Sequence, residues 1–313
     1  MPNFETATIK NRGMHWSIAA DIHFPPNFDA SQQYPAVVIA HPIGARKEQT
    51  SGGVYAPKLA AAGFITVAFD ASFQGASGGE PRYIEDPSLR VADFSHVADY
   101  LAALPYVDLD RLGVLGICGG GGYAVRAAMT DRRYKAIATV TGANYGRYVR
   151  EGAGSASAVL DQLEQVAAQR TAEARGAEYQ VDGGMPTLEQ AKEWGISDVD
   201  ALNGIEYYGT ERACQPNTNF TLRSRMGAAY GWDAFHLAEL LLTQPLLVVV
   251  GGIPGGVGAY RDGHELVRRA RSAQKELVVL AGTSHFDLYD QPEHVARAMD
   301  KLAPFFTQQL AAH

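Results

Sequence analysis

The residues with the greatest chemical reach lie in one short string, Gly116-Ile117-Cys118-Gly119-Gly120, which runs on into Gly121 and Gly122. Glycines flank a nucleophile at this spacing for a physical reason. A strand that turns sharply into a helix strains the central residue and leaves no room for neighbouring Cβ atoms. The following helix aims its first amides at the sulfur, so the thiol is predicted to have a lowered pKa and to react as the thiolate. A base is expected late in the chain, and His285, within Gly282-Thr283-Ser284-His285-Phe286-Asp287, follows the last strand. Two backbone N–H groups, that of Ile43 in His41-Pro42-Ile43-Gly44 and that of Gly119, are the expected donors to a developing oxyanion. Together these groups suit acyl transfer. Sulfur attacks an ester, lactone or thioester carbonyl, and His285 helps pass the acyl group to water or another acceptor.

Two other readings compete. A buried cysteine is often only a core residue, and a glycine run between strand and helix also suits a dinucleotide pyrophosphate. The nucleotide fingerprint asks for G-x-G-x-x-G and an acidic residue at the end of the next strand, which here ends in Val140-Thr141. No cofactor is therefore expected. None of the nine histidines pairs with another at metal-ligand spacing, so no metal site is expected either.

The elements that must position these residues are legible as short β-branched runs alternating with helical patterns. Strands are predicted at Ala36–Ala40, Phe64–Asp70, Leu112–Gly116, Lys135–Thr141, Leu246–Val250 and Glu276–Ala281, with helices near 52–62, 88–104, 119–130, 261–273 and 291–311. Repeated strand-then-helix implies parallel crossovers and a sheet covered on both faces. Thr6–Lys10 and His15–His23, joined at Asn11-Arg12-Gly13, suit an antiparallel hairpin at the sheet edge. Between Gly142 and Gln244 the alternation stops and helical patterns near 155–176, 187–194 and 219–242 take over. The expected class is α/β: one core domain, residues 1–141 and 245–313, with a helical cap insert, residues 142–244, over the carboxyl ends of the strands. The ten aromatic residues of that insert, Trp194, Tyr207, Tyr208, Tyr230, Trp232 and Phe235 among them, match the chain-wide 10%, so ordinary packing accounts for them.

The loop His41–Thr50, the string Phe69-Asp70-Ala71-Ser72-Phe73-Gln74-Gly75-Ala76-Ser77-Gly78-Gly79-Glu80-Pro81-Arg82, the elbow Gly116–Gly122 and Ser284-His285-Phe286-Asp287-Leu288-Tyr289-Asp290 occur in a telling order. They resemble the α/β-hydrolase superfamily and are most similar to its dienelactone-hydrolase-like group, which includes fungal polyketide transferases. The resemblance covers the chain apart from much of the insert. It implies an α/β-hydrolase fold, a mostly parallel twisted sheet with helices on both faces, with Cys118 at the nucleophile position, His285 at the base position and a structural turn at Asp70. The family's acid follows the strand ending at Val250, but Gly251 to Tyr260 contains no carboxylate. Asp262 is the first candidate, although a helix begins there and capping explains it as well; Asp287 is the second. A thiol tolerates a missing acid better than a hydroxyl does, so a Cys118–His285 dyad is expected. The absent acid equally suits a non-hydrolytic catalyst on this scaffold, for cyclisation, isomerisation or C–C cleavage in polyketide or secondary metabolism.

The whole composition sets outer bounds. A net charge of −7 and no basic stretch longer than Arg268-Arg269-Ala270-Arg271 argue against a nucleic-acid partner. With 46% hydrophobic and 19% charged residues the chain reads as globular, and no apolar run approaches the length that spans a bilayer. Only two cysteines, Cys118 and Cys214, fit a reducing compartment, and the amino terminus lacks signal-peptide features. The expectation is a cytoplasmic homodimer acting on an apolar small molecule, with no membrane partner.

Overall fold

The computed structural model describes residues 4–10, 13–213, 215 and 218–312. Eight strands form one sheet: β1 (Phe4–Lys10), β2 (Ser17–His23), β3 (Tyr34–Ala40), β4 (Ile65–Phe69), β5 (Val107–Ile117), β6 (Tyr134–Val140), β7 (Leu246–Gly251) and β8 (Lys275–Leu280). Their spatial order is β1-β2-β4-β3-β5-β6-β7-β8. β1 and β2 pair antiparallel at the edge, β2 joins β4 antiparallel, and every pairing from β4 to β8 is parallel. Asn11 and Arg12 of the expected hairpin turn lie outside the described residues, as does Cys214.

The central strands are buried on both faces, as covered parallel strands must be, so their sequences are continuous apolar runs such as Val37–Ala40 and Leu246–Val250. One face is packed by helices Pro87–Ala102, Gly119–Thr130 and Ala259–Arg269 through residues such as Phe94, Tyr123 and Leu266. The other is packed by Ala56–Ala61 and Pro292–Gln309 through Leu59, Leu302 and Phe306.

Register fixes where the site is built. Ala40 pairs with Gly116, Ile117 with Val140, Val140 with Val249, and Gly251 with Leu280. Five strands therefore end at one level, and the loops beginning at His41, Cys118, Thr141, Gly252 and Ala281 open side by side at the carboxyl edge.

The segment 142–244 carries helices Tyr145–Gly152, Ala156–Ala174, Leu188–Glu193 and Val199–Gly209, and its later part packs through Phe235, Ala238 and Leu242 into the same core cluster as helix Gly119–Thr130. The helical reading of 219–242 needs correction. Phe220–Leu222 is a strand, paired antiparallel with Val181–Gly183, and only short helical pieces, Gly227–Tyr230 and Ala238–Leu241, follow. Gly183 lies in this ribbon at close quarters: a Cβ there would collide with the Asn219 carbonyl. Among the described residues no helix is long and apolar enough to cross a membrane.

Candidate active site

Cys118 joins β5 to the helix Gly119–Thr130 with φ 53° and ψ −127°, a conformation that costs a non-glycine residue about 1–3 kcal/mol. The surrounding glycines make the bend feasible. A Cβ on Gly116 would run into the backbone of Gly120 and Gly121, and one on Gly120 would sit 2.6 Å from the carbonyl oxygen of His41. The strained backbone is pinned by the Cys118 N–H to the Val140 carbonyl (3.1 Å), while the Cys118 carbonyl accepts from Gly121 and Ala143 (2.8 Å each).

The Cys118 sulfur meets the hydroxyl of Tyr289 and the backbone N–H groups of Gly119 and Ile43. These contacts favour the thiolate, but burial outweighs them and the Asp200 carboxylate adds to it, pushing the thiol up to about 11. The sequence reading of a lowered thiol pKa is thus reversed. A helix terminus stabilises the anion by a fraction of what enclosure removes, because Cys118 is only 8% exposed.

His285 is likewise buried, and burial alone lowers its pKa to about 3, so the imidazole is neutral. Its Nε2 faces the Tyr289 hydroxyl at 3.2 Å and its Nδ1 the Thr141 hydroxyl at 2.7 Å. In place of the expected direct Cys118–His285 pair, the imidazole lies between the Tyr289 and Thr141 hydroxyls, and Tyr289 is the group that stands between it and the thiol. Neither Tyr289 nor Thr141 was singled out from the sequence. A signal existed for each: Tyr289 lies four residues beyond His285, and Thr141 directly follows β6 at the level of the nucleophile. Tyr208 of the insert packs edge to face on Tyr289, with ring centroids 6.5 Å apart.

The two carboxylates proposed for the acid go elsewhere. Asp262, fully buried, accepts from Arg147 Nε and Nη2 at 2.7 Å each and from the Asn144 N–H at 2.8 Å. It joins helix Tyr145–Gly152 to helix Ala259–Arg269 rather than facing the imidazole or capping its own helix, whose N-cap is Gly258. Asp287 accepts the Ser284 N–H at 2.7 Å and shapes the turn carrying His285.

The loop bearing Ile43 is held from several sides. Nε2 of His41 accepts the Ala71 N–H at 3.0 Å, its Nδ1 donates to the Pro42 carbonyl at 2.6 Å, and Arg90 donates to the His41 carbonyl at 3.1 Å. Asp70, fully buried, takes the N–H groups of Lys47 (2.7 Å) and Ala76 (2.8 Å), tying this loop to the turn after β4. From the insert, the Asn219 N–H donates to the Gly44 carbonyl at 2.7 Å.

Cys118 opens into a cleft of about 540 Å³ walled by Ile43, Tyr145, Tyr148, Tyr208, Phe286 and Tyr289 among others. Of the insert aromatics named from sequence only Tyr208 lines it, and Trp194 is exposed. The cleft is mainly apolar, with Asp198, Asp200, Asn219 and Thr221 as polar members of its lining, an arrangement that suits a largely apolar ligand with a few polar groups.

The family described as X-Pro dipeptidyl-peptidase (S15 family) matches residues 15–219. The chain is 44% identical over 299 residues to the protein YcjY of Escherichia coli (strain K12), spanning 94% of this chain and 95% of that one. It superposes on the crystal structure of the protein PA2218 from Pseudomonas aeruginosa with a TM-score of 0.88 at 30% identity, covering 99% of this chain and 95% of the other. It is also 26% identical, over 56% of its length and 54% of the relative's, to the thiohydrolase aneE of Aspergillus aculeatus. The strand order, the elbow and these likenesses converge: the chain belongs to the X-Pro dipeptidyl-peptidase (S15) family, within the α/β-hydrolase superfamily of hydrolases and acyltransferases.

Proposed function

We propose that the protein is a cysteine-dependent acyl hydrolase or acyltransferase for an apolar ester, lactone or thioester, with Cys118 as nucleophile and His285 as base. One observation carries this reading: in the cleft the Cys118 sulfur sits against the amides of Ile43 and Gly119, at a strained bend of the kind that presents a nucleophile. The thioester option is also supported by the likeness to a thiohydrolase.

In the proposed course an entering carbonyl oxygen takes over the two amides, leaving the sulfur against the carbonyl carbon. The S–C bond forms as the thiol proton passes to the Tyr289 oxygen and the phenol proton passes to His285 Nε2. Collapse of the tetrahedral adduct expels the leaving group, which takes the proton back along the same path. Water or a second acceptor then attacks the acyl-enzyme as His285 takes its proton; collapse breaks the S–C bond, releases the acylated product and returns the proton through Tyr289 to the Cys118 sulfur. Because thiol and imidazole are both neutral at rest, the proton moves during attack rather than before it.

A panel of p-nitrophenyl esters and N-acetylcysteamine thioesters of increasing chain length tests the reading. Turnover is expected for medium-length acyl groups, falling at least about 1000-fold in Cys118→Ala. An active Cys118→Ala enzyme contradicts the nucleophile. The hydroxyl on Nδ1 in place of a carboxylate favours the non-hydrolytic reading; that class predicts ligand binding in the cleft with every panel member left intact. A free catalytic thiol suits a reducing cytoplasmic setting, and sedimentation tests the expected homodimer.

A further inference from the structure

The loop after β7, Gly252 to Gly258, has no carboxylate of its own, yet a carboxylate lies within it. Asp200, in the first turn of the insert helix Val199–Gly209, reaches down so that a Cβ at residue 255 would run into its carboxyl group. Gly255 is small because Asp200 occupies the place from which a side chain of that loop would start. The neighbouring Asp198 does the same at Gly256, and the two aspartates take the N–H groups of Gly256 (2.8 Å) and Val257 (3.1 Å).

Docking explains one oxygen of Asp200 but not the other. Asp200 is 3% exposed, Oδ2 accepts from Val257, and among the described residues Oδ1 has no partner. An unpaired buried carboxylate oxygen is unfavourable by a few kcal/mol, so its retention calls for a reason. Asp200 also lines a void of about 10 Å³ whose walls include His285, Thr141 and Tyr260. That is the space one water needs. Thr141 supplies an independent observation. It is β-branched yet held at φ 45°, and the strain places its hydroxyl on His285 Nδ1.

We infer that Asp200, delivered by the cap, is the positioning carboxylate of the site: it acts on His285 through the Thr141 hydroxyl, across the small void they share. This rests on His285 being the base of the proposed reaction. For Nε2 to accept a proton, Nδ1 must carry one and donate it to Thr141. The Thr141 hydroxyl must then donate in turn, and Asp200 Oδ1 is the acceptor facing the same void, with room for one bridging water. No proton leaves Nδ1 during the reaction. The carboxylate fixes the tautomer and offsets the charge that appears on the ring, as a directly bonded acid would.

The test pairs a substrate-free reading with a kinetic one. Long-range ¹H–¹⁵N spectra of the histidine side chains are expected to show His285 as the Nδ1–H tautomer in the wild type. In Asp200→Asn and in Thr141→Val it is expected to shift towards a mixture, while Asp198→Asn leaves it unchanged. Asp200→Asn keeps an oxygen for the Val257 N–H, so the cap stays docked. With an accepted substrate, kcat of Asp200→Asn is expected to fall about 100-fold with KM within about threefold. An unchanged His285 tautomer in Asp200→Asn overturns the inference whatever the activity. If the tautomer shifts but even the wild type leaves every acyl substrate intact, the acyl-transfer reading fails and the Asp200–His285 coupling stands.

Discussion

At the scale of single residues, the site is defined by two groups kept uncharged. Burial raises the Cys118 thiol to about 11 and lowers the His285 imidazole to about 3. The protein therefore stores no thiolate–imidazolium pair, and reactivity depends on what a ligand does on entering. The midpoint for alkylation of Cys118 by iodoacetamide is expected well above the ordinary thiol value of about 8.5. Tyr289→Phe raises it further, since the phenol hydroxyl favours the anion. A wild-type midpoint below the ordinary value means a preformed thiolate and contradicts this account. That Cys118, His285 and the Ile43 and Gly119 amides gather at the carboxyl ends of neighbouring strands was legible from residue types and spacing. The direction of the thiol shift was not, because helix-terminus electrostatics is local in sequence whereas desolvation depends on everything that folds over the sulfur. Tyr289 escaped notice for a similar reason: a tyrosine after a histidine acquires meaning only once a one-turn helix aims it at the sulfur.

At the scale of elements, glycine is what lets strand, loop and helix meet. Gly120→Ala would put a methyl 2.6 Å and 2.7 Å from the carbonyl oxygens of His41 and Ala40, which are backbone atoms with nowhere to go. It is expected to lower unfolding free energy by about 1–3 kcal/mol and to displace the Ile43 amide, measured by urea unfolding and by loss of turnover. Gly119→Ala meets the Ile43 side chain, which can rotate, so it should be milder; equal costs would contradict this reading of the bend. Strands were readable because covered parallel strands are unbroken apolar runs: five of the six lie within two residues of their observed bounds, while Leu112–Gly116 is only the later half of β5, Val107–Ile117. The insert was less readable. Its helix Ala156–Ala174 has no buried residue, and its ribbon strands are three residues long, so neither period nor hydrophobicity marks them strongly.

At the scale of the molecule, the insert is fastened to the core by carboxylates. Arg147 and Asp262 form a pair with side chains 12% and 0% exposed. Asp262→Ala leaves the Asn144 N–H and the Arg147 Nε without their acceptor, although Arg147 keeps Glu151 and the Val257 carbonyl, so a loss of about 1–3 kcal/mol is expected in chemical denaturation, with the His285 tautomer unchanged. A change below about 1 kcal/mol would show that this staple is dispensable. The sign of the pH dependence follows from the buried histidines. His41 and His285 have folded pKa values depressed below an unfolded value near 6.5, so the unfolded chain takes up their protons first. Their contribution is complete above about pH 6.5 and is lost as pH falls below it. Asp70 and Asp93, raised to about 6 and about 7, work in the opposite sense, so the comparison with a variant isolates the effect. His41→Gln is expected to lose less stability than the wild type between pH 7 and pH 5; identical losses would contradict a neutral His41.

The central claim is that Cys118 carries the acyl group, and intact-protein mass spectrometry after rapid acid quench tests it most directly. Mixing with a slow-turnover N-acetylcysteamine thioester is expected to add the mass of one acyl group, mapped by peptide digestion to Cys118 and absent in Cys118→Ala. Turnover with no adduct at any quench time, or an adduct that persists in Cys118→Ala, would place the chemistry elsewhere.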